Sequence, residues 1–208
     1  MSKRRPGHYV IGLTGNIATG KSKVMAFLRQ LGACIINADD VAHQVMASQD
    51  SVREAIVRAF GANVLRPDGQ IDRTALGRIV FKDPHALQQL EGIVHPRVIA
   101  DIDTLIERAA EEVVVVEAIK LIETGMHRHY DALWVVASPP EQQIERLINL
   151  RGLSADAAQL RLDAQPPQRD KIAQADVVIC NAGSVEDLER QVVVQWHRVQ
   201  QQLTKSDR

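Results

Sequence analysis

Residues 13–24 read "LTGNIATGKSKV", with Gly15, Gly20, Lys21 and Ser22 in the spacing G-x-x-x-x-G-K-[ST]. Two glycines let the backbone turn so that successive N–H groups converge on one point. Lys21 brings positive charge to terminal phosphates there, and the Ser22 hydroxyl is a ligand for Mg²⁺. The apolar run "YVIGL" (9–13) precedes the loop, and Val24, Phe27, Leu28 and Leu31 follow at helical spacing. Strand, loop and helix therefore come in the order that aims a helix N-terminus at an anion. The competing reading is a glycine-rich turn that holds no ligand.

Four further apolar runs resemble the first: "ACII" (33–36), "VVVV" (113–116), "LWVVA" (133–137) and "VVIC" (177–180). Most are β-branched and unbroken, the pattern of strands covered on both faces of a parallel sheet. Helical stretches lie between them, including Val98, Ile99, Ile102, Leu105 and Ile106. "SPPE" (138–141) predicts a helix capped by Ser138 with Glu141 closing a capping box, and "SVED" (184–187) a similar start. "DP" (83–84) puts Asp before a first-turn Pro. The expectation is an α/β doubly wound fold with a five-stranded parallel sheet. Between the second and third runs no strand is legible. That stretch reads as helices punctuated by "RPDGQ" (66–70) and "HP" (95–96), a helical insertion on the sheet's carboxyl edge. The segment 151–171 is charged, helical and Pro-broken, as a hinged flap would be. The polar tail "QQQLTKSDR" (200–208) is expected to fray.

The formal net charge of −1 gives no whole-chain field to recruit nucleic acid or an anionic membrane. The basic start "MSKRR" is followed by too short an apolar run for a signal peptide, and no stretch is apolar for the length of a membrane span. Cys34 and Cys180 are far apart and lie in apolar runs, which reads as two buried free thiols and a cytoplasmic protein.

Phosphate binding does not by itself give an activity. The GTPase signatures D-x-x-G and N-K-x-D are both missing from the sequence. A short chain with an insertion and a flap fits a small-molecule kinase, in which a lid keeps water from the transferred group. Such an enzyme needs a carboxylate beside the acceptor hydroxyl. "INADDVAH" (36–43) follows the second strand and offers Asp39, which is also placed to cap the helix "DVAHQVM". Glu117 ends the third strand, where a ligand to metal-bound water would emerge or where a plain strand-end charge would stand.

The sequence resembles the dephospho-CoA kinase family over nearly its whole length. "GLTGNIATGKS" (12–22), "NAD" (37–39), "FGANVLRPDGQIDRTALGRIVF" (60–81), "LEGIVHP" (90–96), "KLIETG" (120–125), "EQQIERLINLRGLS" (141–154) and "AQPPQRDKIAQADVVICNAGS" (164–184) follow the family order. The resemblance implies a P-loop NTPase-type three-layer fold that transfers phosphate from Mg·ATP to the ribose 3′-hydroxyl of dephospho-CoA, the last step of coenzyme A biosynthesis. It implies one unit over 1–208: a nucleotide core at 8–37 and 112–208, a CoA-substrate region near 40–111 and a lid near 145–172.

By the same resemblance Gly15, Asn16, Ile17, Ala18, Thr19, Gly20, Lys21, Ser22 and Lys23 hold ATP, with Arg146 and Asn181. Asp39, Lys21 and Arg146 take catalytic roles. Asp39, Arg73, Arg78, His95, Arg97, Glu123 and Arg161 face the substrate. Solvated helix charges, and a histidine that merely packs, are the competing readings for several of these. Ser22 and Glu117 are the metal-site candidates. The implied partners are ATP and dephospho-CoA, without nucleic acid or membrane, for a monomer or small homo-oligomer. Two departures stand out: Asn37 replaces the family's first Asp of D-A-D, and Lys120 falls where an apolar residue is usual. Glu117 is the candidate to supply the charge lost at Asn37. The same fold with another small-molecule acceptor, or a nucleotide-dependent binding module, are the remaining readings.

Overall fold

The computed structural model of the chain describes residues 7–206, so "MSKRR" and the last two residues lie outside the described part. The five apolar runs form β1 (Tyr9–Thr14), β2 (Cys34–Asn37), β3 (Val113–Glu117), β4 (Ala132–Ala137) and β5 (Val177–Cys180). They make one sheet in the order β2-β3-β1-β4-β5, and β1 pairs in parallel with both β3 and β4. From β1 the chain runs toward β2, whereas from β3 it crosses β1 to reach β4. The sheet therefore changes direction between β1 and β3, and a crevice opens at their carboxyl ends.

Every residue of β1, β3 and β4 is buried, which accounts for their unbroken apolar sequence. One face of the sheet, with Ile11, Val115, Trp134 and Ile179, packs on α1 (Lys21–Gln30) and α9 (Val185–Ser206). On the other face Gly12 lies against Leu121 and Tyr130, close enough that a Cβ would come within 2.7 Å of Leu121 Cδ2. The edge strands differ from the sequence reading. Val178 and Cys180 of β5 are exposed, and β2 is only half-buried apart from Ile36. An edge strand lacks the neighbours that cover central ones. The two thiols are therefore not both buried: Cys180 is open, while partial burial raises the pKa of the Cys34 thiol.

The chain divides into two compact units, one up to Ile36 and from Ala109 onward, the other Asn37–Arg108. In the second, α2 (Ala38–Ser48), α3 (Asp50–Phe60) and α4 (Arg73–Val80) pack around α5 (Pro84–Arg108). "RPDGQ" is a turn closed by an antiparallel bridge between Leu65 and Ile71. "HP" breaks nothing, because Pro96 lies inside α5. The buried stripe Val94, Val98, Ile102 and Ile106 continues through it, and that burial offsets the one backbone bond a proline removes. Leu105, expected on that stripe, is 42% exposed.

The caps divide in the same way. Asp83 accepts from the His85 amide, and Ser184 and Asp187 bond each other's amides at the start of α9. Ser138, however, caps nothing: α6 (Pro140–Arg151) starts behind Pro139, and the serine hydroxyl donates to the Asn181 carbonyl at 2.9 Å. The segment after α6 forms α7 (Ala155–Asp163) and α8 (Gln168–Ile172), separated at Pro166–Pro167. Nor does the tail stop at the last apolar run: α9 stays helical to Ser206 because Leu188, Val192, Trp196, Val199 and Leu203 keep one stripe on the core.

Gly12→Ala is expected to destabilise the chain by about 1–3 kcal/mol through overpacking against Leu121 and Tyr130, read as a lowered urea midpoint. An unchanged midpoint would mean that those side chains move aside freely.

Candidate active site

The loop between β1 and α1 opens at the switch between β1 and β3. Its first glycine is dictated by contact: a Cβ on Gly15 would lie 2.4 Å from the Val136 carbonyl oxygen. Gly20 has φ 100° and ends the loop as the cap of α1; a Cβ there would fall 2.2 Å from Asn181 Nδ2. Ala18 is the one non-glycine with positive φ among the described residues, at 57°. Thr19 is fully buried, and its hydroxyl donates to the Asn16 carbonyl at 3.0 Å, holding the loop curved. Lys21 Nζ donates to the carbonyls of Gly15 (2.9 Å) and Asn16 (3.2 Å). Ser22 and Lys23 are exposed on the first turn of α1.

β3 supplies the facing carboxylate. Its register sets Glu117 opposite Leu13, so the side chain emerges on the α1 face of the sheet, where Lys21 begins its helix. Glu117 is 3% exposed and its Oε1 lies 3.8 Å from Lys21 Nζ. A buried ion pair is in general weak evidence of stabilisation, which favours a chemical reason for this carboxylate. The Thr14 hydroxyl donates to the Ala118 carbonyl at 2.8 Å and fastens the two strand ends together.

A second layer braces the loop from the far side. Arg146 of α6 donates to the carbonyls of Ala18 and Asn181, to Ser138 Oγ and to Gln142 Oε1, all within 3.1 Å. Its guanidinium is thus taken up by protein acceptors. Asn181, just past β5, donates from Nδ2 to the Thr19 carbonyl at 2.8 Å. Beside them lies a cavity of about 330 Å³ lined by Gln142, Glu145, Arg146, Asn149, Leu150 and Gly183.

Lys171 has no counterpart in the sequence reading. It is 4% exposed and donates to the Ile119 carbonyl (2.8 Å) and to Glu123 Oε1 (3.0 Å). Glu123 is exposed but not on a helix: it lies in the turn after β3, in the same unit as the loop, and pairs with a buried cation. Nothing in "QRDK" marks its lysine as the buried member, since burial comes from distant chain. Arg151 and Arg161 are exposed on α6 and α7.

The remaining candidates belong to the helical unit. Asp39 is exposed in the first turn of α2, whose cap is Asn37, accepting from the Asp40 amide at 3.1 Å. The capping alternative for Asp39 is thereby removed, and the side chain at residue 37 serves as the cap, a use that an Asp would meet equally. Arg73 opens α4 and borders a cavity of about 350 Å³ with His43, Arg66, Gln70 and Asp72. Arg78 is exposed on α4 and His95 half-buried in α5. Arg97 bonds Asp101 at 3.1 Å, one turn along α5.

A family model described as dephospho-CoA kinase matches residues 9–187. The chain belongs to the dephospho-CoA kinase family. It is 45% identical over 190 residues to the dephospho-CoA kinase of Symbiobacterium thermophilum, covering 90% of this chain and 80% of that one. Among solved structures, TT1252 from Thermus thermophilus superposes with a TM-score of 0.80 at 34% identity, covering 92% of this chain and 97% of the other. The dephospho-CoA kinase from Campylobacter jejuni follows at 0.60 and 27%, with the same coverage. The activity is ATP-dependent phosphorylation of the ribose 3′-hydroxyl of dephospho-CoA, giving coenzyme A and ADP. Among the described residues no helix is long and apolar enough to cross a membrane.

Gly15→Ala should weaken ATP binding by at least about tenfold in calorimetry, since the added methyl meets rigid backbone at Val136 and must displace the loop. Binding at the wild-type level would show that the cradle tolerates that displacement.

Proposed function

We propose that residues 15–23 hold the phosphates of ATP, that Lys21 neutralises the transferred group, and that Asp39 accepts the proton of the ribose 3′-hydroxyl as it attacks. The observation that carries the reading is the loop mouth, where the Lys21 ammonium stands over the Gly15 and Asn16 carbonyls with Glu117 beside it. The transferred phosphoryl needs charge neutralisation and alignment more than covalent chemistry. For Asp39 the support is its exposed carboxylate just after the carboxyl end of β2, in the family stretch "NAD".

Mg²⁺ fits the donor set. The Ser22 hydroxyl has no protein partner among the described residues, and Glu117 adds a buried carboxylate, so both candidates offer the oxygen ligands a hard cation takes. When bound with the nucleotide, the ion supplies charge neutralisation at the phosphate oxygens. Arg146 acts by holding Ala18 and Asn181 in place, and the cavity beside them suits the adenine end of ATP. Arg73, Arg78, His95 and Arg97 are assigned to dephospho-CoA as a helical substrate region, and Glu123 and Arg161, the latter on a lid near 145–172, are assigned to the same substrate. Two free cysteines accord with action in a reducing cytoplasm, as a monomer or small homo-oligomer.

The direct test is coupled ADP release with dephospho-CoA present and absent: release that depends on the acceptor supports the reading, and release indifferent to it ends it. Asp39→Asn should lower kcat by roughly 10²-fold or more, the scale of a lost general base, with ATP affinity kept. Near-normal turnover in that variant removes Asp39 from the mechanism. For Glu117→Gln the Mg²⁺ requirement should rise far more than the ATP dissociation constant. A metal titration identical to wild type refutes the role given to Glu117.

A further inference from the structure

Ile17 is the third residue of the phosphate loop, and its main-chain N–H donates to Gln165 Oε1 at 2.7 Å. One residue earlier, Asn16 Nδ2 donates to the Pro166 carbonyl at 3.0 Å. Two consecutive loop residues are thus bonded to two consecutive residues of the α7–α8 connection. Pro166 and Pro167 follow Gln165, and their fixed φ stiffens that connection. Lys21 Nζ bonds the Asn16 carbonyl, which belongs to the same peptide unit as the Ile17 N–H. The Gln165 carboxamide therefore lies against an amide of the phosphate loop, on the edge of the Asn16–Ile17 peptide opposite the carbonyl that Lys21 holds. Its oxygen is fastened by Ile17, and its amino group makes no hydrogen bond to protein among the described residues. A carboxamide held by its oxygen next to a phosphate cradle presents two N–H donors, the chemistry that binds a phosphate oxygen.

We infer that Gln165 is a γ-phosphate contact: the Ile17 amide orients its carboxamide, and the amino group donates to an oxygen of the transferred phosphoryl. The flap segment then reads ATP apart from ADP through this one side chain. The inference rests on residues 15–23 being the ATP loop.

Two variants test it. Gln165→Glu keeps an acceptor for the Ile17 amide but replaces the donor with an anionic oxygen, and Gln165→Ala removes both. Calorimetry with ADP and steady-state transfer from ATP to dephospho-CoA are measured on each. Expected is unchanged ADP affinity in the glutamate variant, which keeps the brace on Ile17, with kcat/KM for ATP falling about tenfold in the alanine variant, the scale of one lost hydrogen bond and more than its ADP affinity falls. In the glutamate variant the loss should reach about 10²-fold or more, because a donor to the transferred group is exchanged for a repelling charge. A connection that only braces the loop predicts the reverse order, glutamate better than alanine. That order, or equal losses for ADP and ATP, overturns the inference. If the glutamate variant does not fold, Gln165→Met, of similar length and without a donor, carries the same ADP-to-ATP contrast. Failure of the underlying loop reading looks different: wild-type chain then binds neither nucleotide.

Discussion

The pairing of β1 with β3 is the constraint on which the rest of the nucleotide unit depends. Parallel register carries the two strand ends to the same level, with Leu13 opposite Glu117. The phosphate loop leaves one strand, and the carboxylate leaves the other on the same face. A slip of one residue would turn Glu117 to the opposite face, away from Lys21. The buried valines of β3 and the Thr14 bond to Ala118 hold that register. Lys21 then meets Glu117 without either having to leave its own element.

Around this pair the loop is held from three later parts of the chain. Arg146 and Asn181 grip Ala18 and Thr19, while Gln165 and Pro166 grip Ile17 and Asn16. A cradle for phosphates needs its amides fixed before the ligand arrives, since ordering them at the moment of binding would cost affinity. The cost of this rigidity is visible locally: Ala18 has positive φ, and the buried Asn16 Oδ1 has no partner. Such strain is tolerated where the surroundings over-determine the conformation. With residues 15–23 proposed as the ATP loop, these braces share one use, the alignment of one phosphoryl group with one hydroxyl.

Much of this was legible because it is local. The loop spacing, the unbroken apolar strands and the Asp83 and Ser184 caps each depend on residues a few positions apart. The errors share one cause. A rule about single helices makes Pro96 a break, but a buried stripe on both sides carries α5 through it. Local pattern makes Ser138 a cap for its own helix, whereas its hydroxyl bonds a carbonyl 43 residues away. Cys180 looked buried because its run is apolar, yet its strand is at the sheet edge.

The amino-acid order by itself determined the strand–loop–helix at residues 9–30, the number of strands and the family, because backbone conformation and burial period are set over short spans. Tertiary structure alone decided that Lys171 is buried with Glu123, that Arg146 braces the loop, and that Gln165 reaches Ile17. Each of these joins residues far apart in the chain, and such partners are assigned only when the strand order and the packing of helices on the sheet have fixed which distant segments meet.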